Sequence, residues 1–287
     1  MMDIPNIIQR KAPDFGFDDS LPKYWFAGDP FKTRFFDAMS TMFPEGEKYF
    51  IRSVRAYREQ ITDPDMKQAV SDFIYQEAQH SIAHGLFNDR LKAQGINVDK
   101  FEQAMRGYLN FVSKYLPASV NLANTAAAEH MTAIISHIWT RDDIQRDSDP
   151  RMRALLYWHG VEEIEHKAVA FDVLQQVAKA GYLTRILTMA YETVSFPLSV
   201  HLFMDEMLRV DGFSGWERTR MWANGLRWLY GPQGLMHSLL PSYLSYYRPD
   251  FHPWQEGQME TYHQWRQAYE STGNAIAAAD MGKSLPH

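Results

Sequence analysis

The chain has 287 residues, 45% hydrophobic and 14% aromatic, with a formal net charge of −6. That length buries a full core in one large or two modest domains, and the acidic balance without a basic stripe excludes nucleic acid as an expected partner. Cysteine is absent, which excludes disulfides, thiolate metal sites and a cysteine nucleophile.

In chain order, 1–30 scatters Pro, Gly and Asp without a period and reads as an irregular leader with no apolar signal segment, so a cytoplasmic location is expected. Phe31 to Met42 reads as a short helix and Pro44 as the start of the next, because the first turn does not use the N–H that proline lacks. That helix carries Glu47, Phe50, Ile51, Val54 and Tyr57 at the spacing of one buried face. Asp63 and Pro64 supply an N-cap and first helical residue, and the helix they open reaches about Ala93 before Gly95. Asn97 to Tyr115 reads as an added helix. Pro117 opens Ala118 to Arg141, and Asp149-Pro150 repeats the earlier start ahead of a helix to about Ala180.

Residues 31–181 thus read as one four-helix unit whose long connection, Gly95 to Pro117, falls between its second and third core helices. Thr184 to Val210 follows as an apolar helix. Its stretch Ile186 to Met204 approaches spanning length, but Glu192, Pro197 and His201 mark it as buried or interfacial. Trp216 to Tyr230 and Pro253 to about Thr272 complete a helical extension over 182–272, and 273–287 reads as a frayed tail. No run alternates as a strand does, so the expected class is all-α.

Two of these helices carry the word Glu-x-x-His, at Glu77 to His80 and Glu163 to His166. Residues three apart share a helix face, so each word presents two ligands inward. About thirty residues upstream of each lies another acid, Glu47 and Glu129. Glu129 follows Ala126-Ala127-Ala128 and precedes Ala133, Ile134 and Ile135, an apolar setting in which a buried acid needs a counter-charge. Glu, Glu-x-x-His, Glu, Glu-x-x-His on four helices is the ligand set of a ferritin-like dimetal-carboxylate bundle. The fold expectation is therefore a ferritin-like four-helix core with additional C-terminal helices, and the cofactor expectation is two metal ions. Iron suits the mixed carboxylate and imidazole donors, as does a manganese–iron pair, and zinc suits them less.

His84 and His159 lie seven residues from Glu77 and His166 and return to nearly the same faces, as further nitrogen ligands, hydrogen-bond partners of ligands or proton carriers. Glu162 competes with Glu163 for the fourth-helix position: Glu163 gives the i, i+3 spacing to His166 and Glu162 gives i, i+4. His130, His137, His201 and His237 read as structural.

The runs Pro44 to Glu47, Ile61 to Pro64, Gln76 to His80 with His84, Trp158 to Asp172 and Arg248 to Trp254 resemble a bacterial family described as predicted metal-dependent hydrolases. In ligand pattern the chain is also similar to the ferritin-like di-iron superfamily, which includes ribonucleotide reductase small subunits and bacterial multicomponent monooxygenases. That resemblance implies Glu47, Glu77, His80, Glu129, Glu163 and His166 as ligands, with His84 and His159 beyond its simplest six-ligand pattern.

The leading functional expectation is a dinuclear non-haem iron, or manganese–iron, oxidase or monooxygenase. It would activate O2 on an apolar small molecule and draw on an electron-donor protein. The alternative is a dinuclear metal-dependent hydrolase, in which the metals activate water. A ferroxidase fits less well, because 182–272 exceeds what storage bundles carry. The aromatic C-terminal third is expected as core, as a lid or channel over the bundle, or as a contact to a lipid surface. A homodimer through the outer bundle face completes the expected partners.

Overall fold

Asp-Pro opens three of the long helices, and in each the aspartate accepts a backbone N–H of the first turn: Asp29 from Lys32, Asp63 from Asp65 and Asp149 from Arg151. The computed structural model describes residues 6–257 and 259–281 and is helical, with no strand among them. The chain runs through α1 (Pro30–Arg55), α2 (Pro64–Ala93), α3 (Val98–Tyr115), α4 (Ala118–Trp139), α5 (Asp142–Gln145), α6 (Pro150–His166), α7 (Val169–Asp172), α8 (Tyr182–Val210), α9 (Gly215–Tyr230), α10 (Leu240–Ser245), α11 (Met259–Thr272) and α12 (Ala275–Met281).

The expected break before Pro44 is absent, and α1 continues through it. Pro44 cannot donate to the carbonyl of Ser40 one turn earlier, and Asn88 Nδ2 of α2 donates there instead at 3.2 Å. A side chain from the neighbouring helix replaces the bond that proline removes. The fourth core helix is shorter than expected: α6 ends at His166, and the chain turns through Lys167 and Ala168 into α7 and a π-helical turn, Val173–Val177. The end of α6 coincides with the buried Lys167, whose Nζ donates to the Glu256 carbonyl at 2.8 Å.

The helix expected from Pro253 begins instead at Met259, and at Pro253 the chain makes only a 3-10 turn. The expected frayed tail is instead α12 as far as Met281. Asn274 caps its start by accepting from Ile276 N and Ala277 N. Ala275, Ala278 and Ala279 are buried, and such small side chains allow a helix to approach α6 closely. Arg153 of α6 and Asp280 of α12 form an ion pair. The remainder of the expected tail, 282–287, lies outside the described residues, as do 1–5 of the leader.

α1 packs on α2 and α4 on α6, with α1–α4 and α2–α6 contacts completing the group; α3 lies on α1, α8 lies across α1 and α4, and α11 and α12 cover α6. Two apolar clusters stack along this group. One holds Phe43, Ala83, Ile134 and Ile164, and the other holds Val54, Phe73, Ala127 and Val169. Along α1, and from α6 into α7, the order is first cluster then second, and along α2 and α4 it is the reverse, so α1 and α6 run opposite to α2 and α4. Glu47, Glu77 and Glu129 fall between the two clusters, and Glu163 sits beside Ile164 at the end of the first cluster on α6. The site is a polar layer enclosed by two dry ones, where each polar atom needs a partner.

α8 is not buried all round. Met189, Val200, Met204 and Met207 face inward, while Leu183, Leu187, Val194, Leu198 and Leu202 are exposed. No helix among the described residues is long and apolar enough to cross a membrane.

Candidate metal centre

The i, i+3 words do what their spacing predicts. Glu77 and His80 of α2, and Glu163 and His166 of α6, are buried in the same layer as Glu47 of α1 and Glu129 of α4. His166 Nε2 lies 3.1 Å from Glu77 Oε1, 3.5 Å from Glu129 Oε2 and 3.6 Å from Glu163 Oε2. His80 Nδ1 lies 3.8 Å from Glu163 Oε1 and 3.9 Å from Glu77 Oε1. Ligand atoms of Glu77, Glu163 and His166 gather within 4.8 Å of one another, as do those of Glu47, Glu77 and His80, those of His80, His159 and Glu163, and those of Glu47, His84 and His159.

These atoms converge without hydrogen-bond geometry. Both carboxylate oxygens of Glu47, Glu77 and Glu129, with His80 Nδ1 and His166 Nε2, find no hydrogen-bond partner among the described residues. Buried polar atoms are rarely left so, and a cluster of them facing one centre has the donor chemistry to hold a cation. Electrostatics agree. Burial, then the charge of Glu77, pushes the Glu47 carboxyl well above the usual range, and burial followed by Glu77 and Glu163 does the same to Glu129. Burial raises Glu77 too, although His166 opposes it. Burial pulls His166 down, but Glu163, Glu77 and Glu129 outweigh it and hold the imidazole well above its ordinary value. A centre that draws a proton this strongly draws a metal cation for the same reason.

The outer nitrogens of both histidines are fixed. Gln76 Nε2 donates to Glu165 Oε2 at 2.7 Å and to the Ile8 carbonyl at 3.0 Å. Its Oε1 is therefore the acceptor for His166 Nδ1 at 2.8 Å, which leaves Nε2 facing the centre. His80 Nε2 lies 3.1 Å from Glu162 Oε2, so Nδ1 faces inward. Holding the outer nitrogen of an imidazole in this way orients it as a ligand. Glu162 and Glu163 are placed differently: Glu163 faces the centre, and Glu162 accepts from Trp158 Nε1 at 3.0 Å behind His80.

His84 and His159 form a chain that ends on Glu163. Asn88 Nδ2 is occupied by the Ser40 carbonyl, so Asn88 Oδ1 accepts the Ser40 hydroxyl at 3.1 Å. His84 Nδ1 then donates to Ser40 Oγ at 2.9 Å, and His84 Nε2 accepts from His159 Nδ1 at 2.7 Å. The contact from His159 Nε2 to Glu163 Oε1, 2.9 Å, can be satisfied only with a proton between them. Thr132 donates to the other oxygen of Glu163 at 2.6 Å.

Sequence reasoning missed the leader's part. Residues 6–29 form no helix, but part of this segment straps α2 and α6. Arg10 Nη1 and Nη2 reach Glu165 at 2.9 and 2.6 Å, and Nη1 reaches Glu162 at 3.3 Å. Ile8 N donates to Glu165 and Ala12 N to Gln79 Oε1. One guanidinium thus braces both carboxylates that stand behind the two histidines. Glu165 sits inside the second Glu-x-x-His word and Gln76 directly precedes the first, so both lie on the motif helices. Arg10, in an aperiodic leader, gave no signal.

A cavity of ≈ 80 Å³ adjoins the centre, with Glu47, Thr132, Asn124, Glu192 and Ser195 among its lining. A second, of ≈ 270 Å³, is lined almost wholly by apolar side chains, among them Phe35, Met39, Ile135, Val200 and Leu239.

No curated protein and no solved structure shows a significant match to the chain. A sequence model of one family matches residues 9–257, which spans the leader's Arg10, all four core helices and most of the extension, and by that match the chain belongs to the family described as "Predicted metal-dependent hydrolase".

Proposed function

We propose that the protein is a dinuclear metal-dependent hydrolase acting on an apolar small molecule, with Glu47, Glu77, His80, Glu129, Glu163 and His166 as ligands of two divalent ions. The observation that carries the metal reading is the set of eight orphaned donor atoms, from five side chains on four helices, facing one buried centre. The family description supports metal dependence and hydrolysis. Bound there, the ions would supply the missing positive charge and activate a water molecule near neutral pH. The chain's own residues do the rest. Glu162 and Gln76 hold the two imidazoles in place, Thr132 and His159 orient Glu163, and the His84–His159 chain gives a proton a route from the centre toward Ser40. The two cavities supply an apolar site.

A second reading is O2-dependent oxidation at an iron or manganese–iron pair, with an electron-donor protein as partner. The donor set supports it: glutamates and histidines alone, presented at i, i+3 across four helices in a dry core, as in carboxylate di-iron bundles. Metal content per chain by mass spectrometry tests both readings. About two ions per chain is the expected result, and none after anaerobic ferrous and zinc reconstitution overturns the metal reading. Ester or amide cleavage by the zinc-loaded protein without O2 supports hydrolysis. O2 consumption by the ferrous protein, with no cleavage in either form, replaces it with oxidation.

A further inference from the structure

The two cavities share two walls, Met131 of α4 and Phe196 of α8. On the side of the centre the lining is polar in patches, with Glu47, Asn124, Thr132, Glu192, Ser195 and Ser199. Beyond the shared walls only Thr193, Tyr230 and Tyr243 bring polar atoms. Two of these satisfy each other, Thr193 Oγ1 and Tyr243 Oη at 2.8 Å. Among the described residues, no Lys or Arg lines either cavity.

The partition is made of movable parts. Met131 is an unbranched side chain that adapts to its neighbours. Phe196 precedes Pro197, which sits inside α8 and leaves the Thr193 carbonyl without its helical donor, a loosened point in the helix.

We infer that the two cavities form one substrate site for a lipophilic molecule with a single uncharged oxygen function, whose head rests among Glu192, Ser195 and Thr132 beside Glu47 and whose hydrocarbon tail passes Met131 and Phe196 into the larger chamber. The placement of the head rests on the reading of the Glu and His cluster as the metal centre; the tail chamber does not. Two carboxyl groups and no Lys or Arg among the lining residues disfavour an anionic head, and the four glutamates of the centre would balance the charge of two divalent ions beside it. With two of its three hydroxyls paired with each other, the chamber offers a tail little except apolar contact.

The experiment is displacement of a polarity-sensitive naphthalene dye from the full-length protein by hexanol, decanol and hexadecanol. It is run with and without bound metal, with metal content measured in parallel. Affinity is expected to rise from hexanol to decanol by up to about fourfold per buried methylene, the factor that corresponds to ~0.8 kcal/mol. Met236→Trp and Ile135→Phe, which fill the larger chamber, should each flatten that rise while leaving hexanol affinity within a factor of about two, as expected for a contact removed from the tail alone. Circular dichroism identifies a variant that fails to fold, in which case the other decides. The same rise in wild type and in a folded variant, or no rise at all, overturns the tail chamber. Decanoate binding as tightly as decanol overturns the uncharged head. A chain-length rise that survives without metal, in a protein that never takes up metal, supports the chamber while the metal reading fails, so the two outcomes remain separate.

Discussion

Replacing Arg10 with alanine should weaken both the fold and the metal centre. The Arg10 side chain is 9% exposed, and those of Glu162 and Glu165 are fully enclosed. Burial pulls the guanidinium pKa down, but Glu165 and Glu162 reverse this and hold it above the ordinary arginine value. Breaking one partner out of a buried ion pair costs about 3–5 kcal/mol, chiefly because a charge is left uncompensated. Here the lower end applies. Glu165 keeps its bonds from Gln76 and Ile8, and Glu162 keeps those to Trp158 and His80. A loss of about 3 kcal/mol in a chain of this size lowers the melting temperature by roughly 6–12 °C. With both histidine partners loosened, metal affinity should fall by about 10–100-fold, measured by competition with a chromogenic chelator. Arg10→Lys keeps the charge but not the fork that spans two oxygens, so it should lie between wild type and alanine in both assays. An Arg10→Ala protein that melts and holds metal as wild type does would refute the argument that this strap braces the site.

Glu163→Gln should abolish stoichiometric metal uptake, whereas Glu162→Gln should keep the stoichiometry and lose about 10–100-fold in affinity; equal loss in both would contradict their placement in front of and behind His80. Gly225→Ala should destabilise by about 1–3 kcal/mol in urea unfolding, because an added Cβ would lie 2.1 Å from the Phe31 ring. Asn88→Leu should cost about 1–3 kcal/mol by stranding the Ser40 carbonyl that Pro44 already leaves without a helical donor, and an unchanged midpoint would show the Asn88 bond to be dispensable. Burial pushes the Glu192 carboxyl up from 4.5 to about 7. A folded-state pKa raised above the unfolded one gives stability that is fully present below pH 4.5 and lost as pH rises through about 7. The stability of wild type relative to Glu192→Gln should therefore decline across that window, and a flat difference would exclude Glu192 as the titrating group.

Local signals were the legible ones. Asp63-Pro64 and Asp149-Pro150 each combine a capping carboxylate with a residue suited to the first turn, and both open helices as read. Asp29-Pro30 is the same word and opens α1 one residue ahead of the Phe31 start read from the sequence. What keeps α1 whole is a donor from Asn88, 48 residues away, and no local pattern contains it. The inward faces of the two Glu-x-x-His words follow from helical geometry, and the placement of Glu163 ahead of Glu162 follows from the same spacing. The end of α6 at His166 and the docking of α12 depend on tertiary partners, Glu256 for Lys167 and the surface of α6 for three alanines, so composition alone read them as continuing helix and tail. The activity is the least legible part. Donor type supports oxygen chemistry and family description supports hydrolysis, because a carboxylate and imidazole cage serves either.

Arg10 also sets an order of events. It is made early in synthesis, yet its partners Glu162 and Glu165 emerge 152 and 155 residues later. The strap has nothing to hold until α6 exists, so α1, α2 and α4 are all made before Arg10 can take its final place. A bulky fusion placed ahead of residue 6 would therefore burden the docking of the strap rather than the helices it crosses. The bracing of Glu162 and Glu165 is the property that such a fusion would degrade.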